Sequence, residues 1–84
     1  MAANLLRFEQ VKEMAGQTVY EEWLYGTGTI PTTVLSVVSD NVLFMEHNTD
    51  NSRYCARKQD KEYRFWDSEP TLDQRELTDW KRTV

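Results

Sequence analysis

The chain has 84 residues, a formal net charge of −4, one cysteine and one histidine. That length holds one domain, 1–84, and no second core; the lone Cys55 and His47 exclude an intramolecular disulfide and a Cys/His zinc cluster. No apolar run approaches the roughly 20 residues of a membrane span, and Met1 to Leu6 lacks the basic start and long apolar centre of a secretory signal. A cytoplasmic protein that holds its free thiol reduced is expected.

The first element reads as a short amphipathic helix. Leu5, Phe8, Val11 and Ala15 recur at helical spacing with Met14 beside them, and Glu9, Lys12 and Glu13 take the other side. Asn4 is placed to cap its start, and Gly16 to end it in the left-handed conformation. Strands follow. Thr18 to Tyr25 is β-branched and aromatic, with Val19, Glu21 and Trp23 alternating against Tyr20, Glu22 and Leu24. Gly26-Thr27-Gly28 breaks the run.

Thr29 to Val38 predicts a second strand, with Pro31 near its beginning or on an edge, where a missing N–H is tolerated. Ser39-Asp40-Asn41 predicts a tight turn into the apolar strand Val42 to His47. After the polar turn Asn48 to Asn51, Ser52 to Lys58 alternates Arg53, Cys55 and Arg57 against Tyr54 and Ala56. Gln59 to Lys61 turns again, and Glu62 to Trp66 makes a fifth strand. Pro70-Thr71-Leu72-Asp73-Gln74 signals a final helical turn capped by Thr71, with Gln74 completing a capping box. Leu72, Glu76, Leu77 and Trp80 are placed to lay one face against the sheet.

Five short, twisted strands do not stay flat with both edges open. The expected fold is mainly β with short helices: a small SH3-like five-stranded antiparallel barrel, an N-terminal helix and a C-terminal helical turn. With no disulfide to help, its stability falls to aromatic packing. The three tryptophans, four tyrosines and three phenylalanines supply it. Charge is expected outside.

Charge comes in blocks. Between Glu9 and Asp50 seven acidic residues face only Lys12; between Arg53 and Arg64 five basic residues face Asp60 and Glu62. Two partner surfaces follow. An acidic face of Glu9, Glu13, Glu21, Glu22, Asp40 and Glu46 would occupy a basic groove on a protein, with fast, salt-sensitive association. A basic aromatic stretch of Arg53, Tyr54, Arg57, Lys58, Lys61 and Arg64, with Tyr63, Phe65 and Trp66, would stack bases and neutralise phosphates. A third option is an exposed aromatic patch at Trp23 and Tyr25 set against a protein.

Catalytic readings are weaker. Cys55 and His47 form the sole candidate thiol pair, with no marked third group to orient the imidazole, so a buried thiol and an edge imidazole are expected, and no enzyme. A deep pocket lined by His47, Cys55 and a carboxylate would overturn that. Glu21 and Glu22 fall on opposite faces of one strand and share no site. Asn48-Thr49-Asp50-Asn51 lacks the closing glutamate of a calcium loop, and Gly26-Thr27-Gly28 has neither the lysine nor the following helix of a phosphate loop. No metal or cofactor is expected.

Two stretches resemble small proteins of phages and prophages of gut bacteria. Phe8-Glu9-Gln10-Val11-Lys12-Glu13-Met14-Ala15-Gly16-Gln17-Thr18-Val19-Tyr20 is similar to their opening, a short helix, a glycine and a Val-aromatic strand start. Tyr63-Arg64-Phe65-Trp66-Asp67-Ser68-Glu69-Pro70-Thr71, continuing through Gln74-Arg75 to Trp80, is similar to their ending. Arg7 stands where a Ser or Thr cap is commoner. The resemblance implies a viral accessory protein with an SH3-like barrel, and brings no catalytic or binding residues with it. By class-level analogy such a protein is an anti-CRISPR-type inhibitor that binds a host CRISPR effector nuclease in the cytoplasm of an infected bacterium. A nucleic-acid-binding barrel, a phage structural or assembly protein, and a homodimer with a ligand groove are the alternatives.

Overall fold

The alternation read along the chain becomes a single antiparallel sheet. The computed structural model describes residues 2–26 and 28–76. Its elements are β1 (Leu5–Leu6), α1 (Phe8–Lys12), β2 (Thr18–Trp23), β3 (Thr29–Ser39), β4 (Val42–His47), β5 (Arg53–Arg57), β6 (Tyr63–Trp66) and α2 (Leu72–Glu76). The strands lie in the order β1-β6-β2-β3-β4-β5, and every pairing is antiparallel. β2 to β5 thus form a meander, and β6 returns to lie beside β2.

Two expectations change here. The sheet has six strands, not five, because Leu5 and Leu6 pair with Trp66 and Phe65 instead of opening a helix. Asn4 therefore caps nothing; its backbone N–H and its side-chain amide donate to Asp67 at 2.8 and 2.9 Å. The sheet is also open. β1 and β5 are its ends, and no ladder joins β5 to β1 or β6 among the described residues.

The sheet nonetheless curls far enough for its ends to face each other. Tyr54 of β5 hydrogen-bonds to Glu21 of β2, and the Tyr54 and Tyr63 rings lie 6.2 Å apart across the gap between β5 and β6. Register irregularities between Val34 and Ser36 and between Val37 and Ser39 add local twist to the β3–β4 hairpin.

The concave face holds the core: Val19, Val34, Leu43, Met45, Ala56 and Phe65, closed at one end by Val11 of α1. Leu43 and Met45 are fully buried, each worth about 1.5–3 kcal/mol relative to exposure. Helix α1 is short because Arg7 is its N-cap; the Arg7 N–H donates to the Gln10 side chain at 2.7 Å. The helix ends earlier than expected, at its C-cap Glu13, and Gly16 takes φ 84° in the turn that follows, a left-handed conformation that a glycine provides. Pro31 lies beside the end of β4, where its carbonyl accepts the Asn48 N–H. At α2 the capping box is present: the Gln74 N–H donates to Thr71 Oγ1 at 3.1 Å and the Thr71 N–H to Gln74 Oε1 at 3.0 Å. Leu72 is exposed and does not pack on the sheet, while Leu77 and Trp80 lie outside the described residues. No helix among the described residues is long and apolar enough to cross a membrane.

Candidate functional site

Burial rearranges the charge that the sequence suggested. Glu21 is 2% exposed and Glu22 is fully buried, so neither belongs to an acidic contact face, and charge is not confined to the surface. Period-2 alternation sends them to opposite faces of β2, as expected, and each is held by its own partners. On the concave face Glu21 Oε2 meets His47 Nε2 at 2.7 Å, and Glu21 Oε1 accepts the Tyr54 hydroxyl. On the convex face Glu22 Oε1 accepts Arg64 Nε at 2.8 Å and Trp66 Nε1 at 2.9 Å. The Arg64 guanidinium also stacks over the Trp66 ring at 5.2 Å.

The remaining acidic candidates are scattered or neutralised. Glu9 pairs with Lys58 at 2.7 Å, Glu46 with Arg53 at 2.9 Å, and the exposed Asp40 approaches Lys12 at 3.7 Å. Glu13 is exposed on the turn after α1. The Lys58 contact holds the Glu9 carboxyl below its ordinary range. Of the basic aromatic stretch, Arg64 is committed to Glu22 and the Arg75 carbonyl, and Lys58 to Glu9; Lys61 is exposed.

The rest of that stretch converges. Arg53, Tyr54, Cys55 and Arg57 from β5, Tyr63 from β6, Asp60 from the connecting turn, and Glu21, His47 and Ser52 line a groove of about 350 Å³. A second hollow of about 150 Å³ continues along the β5–β6 gap, sharing Arg57, Asp60 and Tyr63. Burial, then the Glu21 carboxylate, pushes the Tyr54 phenol well above the ordinary tyrosine range, so it stays a proton donor to Glu21. Burial, then Glu21, Asp60 and Glu62, raises Tyr63 in the same direction.

His47 has the third group that the sequence did not mark. Its Nδ1 lies 3.1 Å from Ser52 Oγ and its Nε2 on Glu21, and the Ser52 hydroxyl donates to Asp50 at 2.7 Å. Serine, imidazole and carboxylate thus stand in the order of a nucleophile relay. The backbone donors beside Ser52 are occupied, however. The Ser52 N–H goes to Asp50 and the Asn51 N–H to the His47 carbonyl, which leaves neither to stabilise an oxyanion. Cys55 is exposed, not buried, and both His47 nitrogens are engaged elsewhere. The groove does bring His47, Cys55 and Glu21 together, but as an open trough beside exposed arginines.

The Asn48 to Asn51 segment is a turn, with Asn51 at φ 61°. The described residues contain no group of three metal-ligating side chains. Beyond the groove, Trp23 and Tyr25 form an exposed edge-to-face pair with ring centroids 5.3 Å apart, at 44% and 65% exposure. Trp23 sits opposite Tyr63 in the β2–β6 register, so the pair adjoins the groove. Comparisons with protein-family models, curated proteins and solved structures return no match to this chain.

Proposed function

We propose that this chain is a non-catalytic binding domain that seats a partner protein on the aromatic patch formed by Trp23, Tyr25 and Tyr63. The observation that carries this reading is the exposure of that patch. Three large aromatic side chains stand open at one end of a small sheet, while Glu21, His47, Tyr54, Glu22 and Arg64, the groups suited to chemistry, are bound to one another. Aromatic anchors of this kind dominate protein–protein contacts. The order β6-β2-β3-β4-β5 supports a partly open SH3-like barrel, with the last strand returning beside the first of the meander.

The partner class rests on class-level analogy with small viral accessory proteins, which the two ends of the chain resemble. It is a host defence protein of the CRISPR-nuclease type, bound stoichiometrically in the bacterial cytoplasm by a phage-encoded inhibitor. The test is co-expression with active CRISPR immunity: the wild-type chain restores phage plating and co-purifies with an effector subunit, and the double variant Trp23→Ala, Tyr25→Ala loses both. Full immunity in the presence of the wild-type chain, with no effector subunit captured, removes the proposal.

A second reading is favoured by the convergence of Arg53, Arg57, Tyr54 and Tyr63 in one groove. Single-stranded nucleic acid would use that groove for stacking and phosphate contacts. Titration with an oligothymidylate at low salt decides it, since binding abolished by Arg57→Glu supports it and no binding removes it.

A further inference from the structure

Strand β5 is an exposed end of the sheet, and its ladder bonds fix which of its backbone groups face outward. The Lys58 N–H bonds to the Asn41 carbonyl and the His47 N–H to the Ser52 carbonyl. Hydrogen-bonded and non-hydrogen-bonded pairs alternate along an antiparallel ladder. In the β4–β5 register, Leu43–Ala56 and Met45–Tyr54 are therefore the bonded pairs. Arg53, Cys55 and Arg57 direct their N–H and C=O groups away from β4, into the groove. Asp60 accepts the Arg57 N–H at 3.1 Å, which leaves the edge open at Arg53 and Cys55.

The far wall of the gap has the same character. The Leu24 N–H bonds to the Glu62 carbonyl, so Trp23–Tyr63 is a non-bonded pair of the β2–β6 ladder and the Tyr63 backbone faces outward. Strand β1 covers β6 only at Phe65 and Trp66. Two open strand edges thus look at each other across hollows of about 350 and 150 Å³. A strand laid along β5 would enter this slot beside the Tyr54 and Tyr63 rings, which lie 6.2 Å apart.

We propose that the slot takes an extended acidic segment of a partner protein by strand addition to β5. The inference rests on the protein-binding reading above and names the kind of segment that would be bound. Charge selects it. Arg57, with no ion pair among the described residues, and Arg53, exposed and paired with Glu46 at 2.9 Å, stand on the outer face of β5, so an added strand gains by placing a carboxylate opposite Arg57 and a second one beside Arg53. Its alternate residues face Tyr54 and Tyr63 and are apolar. A second copy fits poorly, because antiparallel β5–β5 pairing about Cys55 sets Arg53 of each chain against Arg57 of the other, and like charges directly opposite are destabilising.

An alternating valine–glutamate octapeptide is the probe, titrated into the ¹⁵N-labelled full chain. Expected are amide shifts at residues 53–57 and Tyr63, with slowed hydrogen exchange at Arg53 and Cys55. Cys55→Pro deletes one outward N–H and spares the β4 ladder; it weakens peptide binding at least tenfold, whereas Cys55→Ser leaves it unchanged. Should the proline variant fail to fold, Arg53→Glu, Arg57→Glu serves instead: it loses the glutamate peptide at least tenfold and gains the valine–lysine one. Shifts confined to Trp23 and Tyr25 overturn strand addition and leave the aromatic patch standing. Wild-type affinity in Cys55→Pro, a β5-mediated dimer in sedimentation, or binding of oligothymidylate but neither peptide each overturns it as well.

Discussion

Glu21 and Glu22 are neighbours in sequence and occupy two different physical environments. Glu21 sits on the concave face, where both carboxylate oxygens have partners and one wall opens to the groove. Glu22 sits on the convex face, where, among the described residues, Oε1 receives two donors and Oε2 is buried without one. The convex side is covered: Arg64 donates to the Arg75 carbonyl of α2, and the Gln74 side chain of α2 reaches the Ala3 carbonyl. A buried carboxylate gains from a partner only what its desolvation does not take away. Glu21 solves this with the Tyr54 hydroxyl and an imidazole at the groove, Glu22 with one guanidinium and the Trp66 indole. The first arrangement tolerates change; the second does not.

The sharpest way to break the comparison is to remove that guanidinium. Arg64→Met leaves a fully buried carboxylate with the Trp66 indole as its sole remaining donor among the described residues. Removing one member of a buried ion pair costs about 3–5 kcal/mol, a large share of a small domain's stability. Urea denaturation should place the midpoint far below wild type. Adding Glu22→Gln, which keeps an acceptor for Trp66 and removes the stranded charge, should recover at least half of the loss. Equal stability of the single and double variants would show that the pair is not coupled.

Much of this fold is written in the sequence, and the gaps have physical causes. The five longer strands declare themselves through alternation and bounding turns, and Thr71 with Gln74 forms the capping box that their spacing specifies. Strand β1 does not, since two leucines carry no period and Leu5 happens to fall in phase with Phe8 and Val11. The opposite faces of Glu21 and Glu22 are legible from period 2, but their burial is not. It depends on His47, Tyr54, Arg64 and Trp66 arriving from strands far along the chain. The same holds for the groove: a basic aromatic stretch is visible, but Arg64 and Lys58 leave it for Glu22 and Glu9 once the sheet curls.

On the concave side the corresponding change is milder. Tyr54→Phe removes one donor from Glu21 while His47 remains. A hydrogen bond to a charged group is worth about 1.5–3 kcal/mol, and groove water replaces part of it, so the loss belongs at the lower end. Alkaline titration sharpens the point. Because the Tyr54 pKa is raised on folding, first by burial and then by Glu21, its contribution is present below the unfolded value of about 10 and is lost as pH rises beyond it. Absorbance at the tyrosinate band should show Tyr54 ionising together with unfolding, and Tyr54→Phe should flatten the alkaline fall in stability. A Tyr54 that titrates in the native state with the exposed tyrosines contradicts this account.

The smallest effect concerns the cover over Glu22. Asp67 follows Trp66 and accepts both the backbone and side-chain N–H groups of Asn4, which hold its carboxyl below the ordinary range. A carboxyl depressed on folding contributes stability above its unfolded pKa, and that contribution fades as pH falls through the folded value. Acid should therefore loosen β1 and the N-terminal segment from β6 before it disturbs the concave face. Asp67→Asn reproduces the acidic condition at neutral pH by weakening the acceptor. The Trp66 indole N–H, which points at Glu22, reports the result, and its hydrogen exchange should quicken in the variant while the His47 and Tyr54 resonances stay in place. If the two faces respond together, the convex cover and the concave network form one cooperative unit, and the separation drawn between the two glutamates fails.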